Sequence, residues 1–319
     1  MNMSPEKLKN IANMIWRLLD NAKKVTLLTH ERPDGDGISA CAAMDTLLRA
    51  LGKETETIYP TNPECAYTRQ PETVLVKSHS IIPDLIIVLD TATRKRCYIP
   101  EAFAHIPLVV IDHHISNDID ATVSCVDPKA SSACELLYEL MMLWDHSYIT
   151  KKIAESLAMG ILYDTQVFRT TLTTAKTLRI VADLMEKGAD LCVLKDELLA
   201  NKNPGIIKVW ASFLQSVALS PSGKSAWAVL PKKDLVFIDG TTPVLVGFSN
   251  FLAEISTTDI IAIFYETEDG KTKVSLRSRY TDVNALAKKF GGGGHIHAAG
   301  IVTSMPLDEC VNQVTRLFV

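Results

Sequence analysis

The chain has 319 residues, too many for one ordinary domain and comfortable for two, and its 47% hydrophobic and 22% charged residues are those of a globular protein with a sizeable core. A net charge of −4 and a pI near 6.1 argue against tracking long duplex DNA, although a short anionic ligand could still be held by a local cationic site. No apolar run is long enough to span a bilayer, the N-terminal MNMSPEKLKN lacks the apolar stretch of a secretion signal, and the 7 cysteines are scattered and odd in number, so a thiol-reducing cytoplasm is the expected location.

In chain order, residues 5–22 place Leu8, Ile11, Ile15, Leu18 and Leu19 on one face of a helix. Val25–Thr29 reads as the first strand. After the loop His30–Gly37, ISACAAMDTLLRALG reads as a helix stopped by Gly52. Glu54–Tyr59 is a second strand and residues 60–71 a loop. Leu85–Leu89 and Leu108–Ile111 read as strands, and Ser131–Trp144 and Lys151–Tyr163 as helices. From Thr173 to about Ser216 the pattern is helical, with a break at Asn203-Pro204-Gly205. Strands then return at Ala226–Leu230, Ile260–Tyr265 and Lys273–Arg277, with turn signals at Pro221-Ser222-Gly223 and Glu268-Asp269-Gly270. VGFSNFLAEI, VNALAKKF and the C-terminal segment read as helices. The expected fold class is α/β: a mostly parallel, helix-flanked sheet over 1–187, a helical linker over 188–219, and a smaller α+β domain over 220–319.

The chemistry gathers at strand ends. Buried strands normally stop at Gly, Asn or Pro, yet the run Val109–Ile111 stops at Asp112-His113-His114. His30, Asp34 and Asp36 follow the first strand, Asp90 follows LIIVL, and Asp164 closes the helix-like ESLAMGILYD. Ligands of parallel sheets collect outside the carboxyl ends of the strands, so these residues read as one site. The DGDG run has competing readings: a polar turn leading to a helix cap, or the loop of an aspartate-dependent phosphatase. An EF-hand is excluded, because Ile38 stands where the next ligand belongs and no Glu follows at the required distance. Gly35 and Gly37 would let the loop curl by adopting angles closed to other residues. Asp34, Asp36, Asp90 and Asp164 converging on one pocket would repel one another, and two divalent cations would neutralise them. Oxygen and nitrogen donors without thiolate favour manganese, with magnesium or cobalt compatible, and a pair of such ions suits phosphoryl transfer. His79, His105, His146 and His297 have no such context and read as surface or core residues. In GGGGHIHAAG, residues 291–300, the glycines read either as a flexible loop or as a turn offering N–H groups to a phosphate, and Arg277-Ser278 closes a strand just upstream.

The motifs THERPDGDG, VLDTA, IDHHISN, GILYDT, LRSRY and FGGGGHIHAAG, in this order over nearly the whole chain, resemble the DHH phosphoesterases that carry the DHH-associated C-terminal domain. Length and layout resemble the family's hydrolases of short RNA oligonucleotides (nanoRNA), which also dephosphorylate the 3′,5′-bisphosphate nucleotide pAp. The resemblance implies one manganese ion on His30, Asp34 and Asp90, and a second on Asp36, Asp90, His113 and Asp164. It implies that Asp112 orients a histidine and that His114 contacts the scissile phosphate. It implies a nucleotide held by Arg277, Ser278, Gly291, Gly292, Gly293, Gly294 and His295 in a cleft between the domains. Within the family, a phosphodiesterase for linear or cyclic dinucleotides and a single-strand exonuclease are the alternatives. Outside enzymes, the alternative is a nucleotide sensor without turnover. A homodimer accords with the family. One departure is Gln166, where the family's usual Asp-Thr-Gly has glycine.

Overall fold

The computed structural model describes residues 3–61, 70–200, 205–230, 237–238, 242–243, 248, 251–252, 258–267 and 269–318. The chain divides into two compact units, Met1–Asn201 and Lys202–Val319.

The β-branched runs of the first unit form six strands: β1 (Lys24–Leu28), β2 (Glu54–Tyr59), β3 (Val74–Val76), β4 (Leu85–Leu89), β5 (Leu108–Asp112) and β6 (Val123–Val126). They pair in the order β3-β2-β1-β4-β5-β6, every neighbour parallel. Connections run outward in opposite directions from the central pair β1 and β4, which opens a crevice at their carboxyl ends. His30 and Asp90 stand just past those two ends.

Period-two alternation buries both faces of the central strands. Val25, Leu27, Leu85, Ile87, Leu89, Val109 and Ile111 face one cluster, and Leu28, Ile86, Val88, Leu108 and Val110 face the other. Each such aliphatic side chain contributes about 1.5–3 kcal/mol on burial. The first face is covered by helices, among them α1 (Pro5–Asn21), α2 (Gly35–Ala50), α3 (Ala133–Trp144), α4 (Lys151–Asp164), α5 (Ala175–Glu186) and α6 (Leu191–Ala200). The second face is covered by 3-10 turns at Arg94–Arg96 and Glu101–Phe103 and by loop residues such as Ile99, Ile106 and Ile119. Buried Glu56 on β2 ties down part of that cover, accepting from Ser80 N–H at 2.7 Å and lying 2.8 Å from His79 Nδ1. His79 is thus a core histidine.

Two expectations change here. The segment His30–Gly37 is not a loop throughout, because α2 begins at Gly35 with Asp34 as its N-cap: Asp34 Oδ1 accepts from Asp36 N–H at 3.1 Å and Gly37 N–H at 3.2 Å. Neither Gly35 nor Gly37 has a positive φ. They are needed for space: an added Cβ at Gly35 would overlap the Tyr163 ring, and one at Gly37 the Thr29 hydroxyl.

The second unit contains α7 (Gly205–Gln215), β7 (Ala218–Leu219), β8 (Ser225–Leu230), β9 (Phe237–Ile238), β10 (Thr242–Pro243), β11 (Ile260–Glu266), β12 (Thr272–Ser278), α8 (Val283–Lys288), β13 (Gly293–His295), β14 (Ala298–Thr303) and α9 (Leu307–Thr315). Its main sheet has the order β13-β14-β12-β11-β8-β7, with β8 and β11 parallel and the other pairs antiparallel. Ile260, Ala262 and Phe264 of β11 pack into one cluster, and Ile261, Ile263 and Tyr265 into another. Most of the expected helix VGFSNFLAEI lies outside the described residues. Among the described residues no helix is long and apolar enough to cross a membrane.

Close packing of α4 on α2 and α3 yields a stability prediction. An added Cβ at Gly160 of α4 would overlap Cys134 Sγ and Asp36 Oδ1. Helix propensity alone would favour alanine by about 1 kcal/mol, but overpacking costs about 1–3 kcal/mol. The net cost, up to about 2 kcal/mol, is expected to lower the Tm of Gly160→Ala by a few degrees. A Tm at or above that of the wild type would mean that α4 can shift to make room.

Candidate metal centre

Each side chain of the site is delivered by a local feature. His30 follows β1, Asp34 and Asp36 open α2, Asp90 follows β4, Asp112 ends β5 with His113 and His114 behind it, and Asp164 is the last residue of α4. Asp34, Asp36 and Asp164 thus reach the crevice from helix ends, while the strand ends supply the rest.

The ligand-capable atoms of His30, Asp34 and Asp90 lie within 4.8 Å of one another, as do those of Asp36, His113 and Asp164, and those of Asp90, His113 and His114. Asp90 joins these groups: its Oδ2 is 3.6 Å from His30 Nε2, and its Oδ1 is 3.5 Å from His113 Nε2. His113 Nε2 is also 3.0 Å from Asp164 Oδ2. Asp90 itself has φ 53°, a left-handed backbone that costs a non-glycine residue about 1–2 kcal/mol.

The electrostatics are those of crowded charge. Burial, then repulsion from Asp164 and Asp90, pushes the Asp36 carboxyl well up. Burial likewise raises Asp164 to about 6. Burial would also raise Asp90, but His113 and His30 outweigh it and hold the carboxyl below the usual range. Burial pulls both histidines down, yet the facing carboxylates prevail, holding His30 near 10 and His113 near 12. The histidine protons thus do part of what cations could do.

The donor set fits divalent cations. Asp90 Oδ1 is buried without a hydrogen-bond partner; the nearest imidazole nitrogens, His113 Nε2 at 3.5 Å and His114 Nδ1 at 3.7 Å, stand off from it and leave it open to a cation. His30 Nδ1 is 2.6 Å from the Glu31 carbonyl; donation there fixes the tautomer that leaves Nε2 free for a metal. Carboxylate oxygens and imidazole nitrogens suit manganese, magnesium or cobalt. The neighbouring Cys134 is no competitor, because burial pushes its thiol well up and keeps it neutral.

Supporting groups were not all legible in the sequence. Asp112 is fully buried and lies 2.7 Å from His114 Nδ1, while its other oxygen accepts from Asn117 Nδ2 at 2.7 Å. Asn117 also donates to the Thr91 carbonyl at 2.9 Å, tying the loop after β5 to the loop after β4. Asp36 accepts from the N–H groups of Ala133 at 2.6 Å and Cys134 at 3.1 Å, so the N-terminus of α3 steadies it. Arg96 Nη2 lies 3.0 Å from His30 Nδ1, a contact that is no hydrogen bond while that nitrogen donates to the Glu31 carbonyl. Behind Asp164, the successive residues Gln166, Val167 and Phe168 have φ 49°, 59° and 66°. Gln166 thus occupies a left-handed position where glycine would be unstrained.

Arg277 and Ser278 lie at the end of β12, and the Arg277 guanidinium donates to the Leu276 carbonyl at 3.0 Å. Ser278 Oγ donates to the Thr281 carbonyl and is 3.2 Å from His297 Nδ1. The glycine run differs from the open turn expected for it. The N–H groups of Gly291 and Gly292 are used by the Lys288 and Ala287 carbonyls, and Gly293–His295 pair with β14 as an edge strand. Glycine is needed at position 291, where φ is 72°, and at 292, where a Cβ would overlap the Gly300 carbonyl. The His295 side chain lies outside the described residues.

Comparison with known proteins agrees with these motifs. Residues 24–161 match the DHH family, N-terminal domain, and residues 235–318 match the DHHA1 domain. The bifunctional oligoribonuclease and PAP phosphatase NrnA of Bacillus subtilis is 30% identical over 282 residues, covering 86% of this chain and 88% of that protein. The crystal structure of an exopolyphosphatase-related protein from Bacteroides fragilis superposes with TM-score 0.85 at 22% identity, over 97% of this chain and 96% of the other. RecJ from Thermus thermophilus, solved in complex with Mn2+, shares the fold with TM-score 0.50 at 15% identity, over 97% of this chain and 53% of its own. On the two domain matches and the extent of the NrnA similarity, the chain belongs to the DHH phosphoesterase family, a family of hydrolases.

Proposed function

We propose that this hydrolase cleaves phosphoester bonds in short RNA oligonucleotides and removes the 3′-phosphate of pAp, with two manganese ions as cofactors. The observation that carries the reading is that Asp90 belongs to two neighbouring ligand groups, one with His30 and Asp34 and one with His113 and His114, so it could help hold cations on either side. His30 and Asp34 complete one set with Asp90; Asp36, His113 and Asp164 complete the other. The Bacillus subtilis relative, named for oligoribonuclease and PAP phosphatase activity, supports the substrate choice.

When bound, the ions supply a nucleophile at neutral pH and offset charge on the phosphoryl oxygens. The residues of the chain do the rest. Asp112 holds His114 by Nδ1, so the opposite ring nitrogen of this partly exposed side chain can donate to a phosphoryl oxygen as charge develops. On the second unit, Arg277 supplies a guanidinium suited to a phosphate oxygen, with Ser278, whose hydroxyl donates to the Thr281 carbonyl, next to it in the chain. The edge strand β13, with no side chain beyond the Cα at Gly293 and Gly294, lets a sugar or phosphate approach its backbone.

The first test is hydrolysis of pAp, an RNA dinucleotide, an RNA 20-mer and pyrophosphate, each with Mn2+ and with chelator. Mn2+-dependent release of mononucleotide from the dinucleotide, or of AMP from pAp, is expected. Activity confined to the 20-mer or to pyrophosphate would move the reading to an exonuclease or a pyrophosphatase, and nucleotide binding without turnover to a sensor. Asp90→Ala should abolish metal binding and turnover together, whereas His114→Ala should lower kcat by about 10²–10³ with Mn2+ affinity kept. Full activity in Asp90→Ala would remove the two-ion model. Because the metal-free histidines are held protonated, near 10 for His30 and near 12 for His113, cation binding must expel protons and affinity must rise with pH. Titration calorimetry in buffers of different ionisation enthalpy should read proton release, with Mn2+ affinity at least about tenfold higher at pH 8 than at pH 6. Equal affinities would mean that the histidines are not ligands.

A further inference from the structure

At the motif-bearing edge of the second unit, two large apolar side chains stand in solvent: Tyr280 is 83% and Ile296 57% exposed. An isolated surface hydrophobe needs no explanation, but these two sit on segments that are held rigidly. The Asp259 carboxylate accepts the N–H groups of Tyr280 at 2.7 Å and Arg279 at 3.0 Å, together with the Thr281 hydroxyl. Burial would raise that carboxyl, but these hydrogen bonds hold it below its ordinary value and so ionised. The turn bearing Ile296 is fastened to the same segment, since Val283 N–H donates to the Ile296 carbonyl at 2.8 Å and Ser278 N–H to the His297 carbonyl at 3.1 Å. Arg277, Arg279 and His297 lie on these same segments. With its backbone held and two side-chain torsions left, a tyrosine ring loses little freedom when it is covered. Guanidinium groups one and three residues along the chain from an exposed aromatic suit a ligand that is anionic and flat at once.

We propose that Tyr280, on a segment fastened to the turn that bears Ile296, is a stacking platform for a nucleobase of the bound nucleotide, two or three residues along the chain from Arg277 and Ser278. The inference rests on the nucleotide reading of the site and adds a determinant of base recognition. Stacking is indifferent to base identity, so the platform would favour nucleotides over base-free phosphoesters without reading sequence.

The test compares an RNA dinucleotide with the same molecule made abasic at both sugars, on wild type, Tyr280→Ala and Tyr280→Trp. For the intact dinucleotide, Tyr280→Ala should raise KM by about ten- to a hundredfold, the size of one lost base–aromatic stack, with kcat within about twofold. Tyr280→Trp should restore KM, and the abasic substrate should not distinguish the variants. Unchanged KM in Tyr280→Ala, or an equal loss on the abasic substrate, overturns the platform. Equilibrium binding of both oligomers with chelator present reads the stack without turnover. A wild type that hydrolyses nothing but shows the base-dependent binding loss in Tyr280→Ala would overturn the hydrolytic reading alone. Absence of that binding difference would overturn the platform whatever the activity.

Discussion

Negative charge held at close quarters is the constraint on which the first unit depends. Asp34, Asp36, Asp90 and Asp164 meet at the carboxyl ends of β1 and β4, two of them almost fully buried. Carboxylates so placed either bind protons or gather cations. The arrangement suits the second outcome. His30 and His113 face the carboxylates, two N–H groups at the start of α3 point at Asp36, and the mixed donor set suits a hard divalent ion. Bringing these groups so close requires strain and small residues. Asp90 takes a left-handed backbone, and Gly35, Gly37 and Gly160 leave no room for a Cβ.

Around that centre, the polar groups that hold the histidines of the site are themselves satisfied. Asp112 spends one oxygen on His114 and the other on Asn117, and Asn117 in turn bridges to the Thr91 carbonyl. Such a chain of buried hydrogen bonds is costly if broken and therefore rigid. The same economy recurs in the second unit, where Asp259 gathers the turn Arg279–Thr281 and the hairpin of β13 and β14 is stitched to it. Rigid presentation suits a hydrolase, because misplacement of a donor by an ångström forfeits much of its effect on the transition state.

Much of the fold was open to reading from local pattern. Long β-branched runs announced β1, β4, β5 and β11, and helical periodicity announced α1, α2, α3 and α4. The edge strands β3 and β6 were not announced, because three or four residues with a single buried or half-buried face carry too little pattern. The start of α2 was placed late, since Asp-Gly-Asp-Gly spells a turn on local chemistry and becomes a helix start only through the Asp34 cap. The glycine run before His295 was read as open backbone, yet its pairing with β14 consumes part of that backbone.

Residue type and order were enough to name which side chains could carry chemistry: aspartates and histidines at strand ends where apolar runs should have met a turn. They were enough because a buried strand cannot end in three charged or metal-binding groups without a partner for them. Distance was beyond the sequence. His30 and Asp164 are 134 positions apart, and their nearness follows from strand order and from the packing of α4 on α2, neither of which any local window contains. The same holds for Asn117 on Asp112, for the α3 N–H groups on Asp36 and for the Asp259 clamp beneath Tyr280. Each joins groups that are individually ordinary, and only the long-range contacts of the folded chain give them a role.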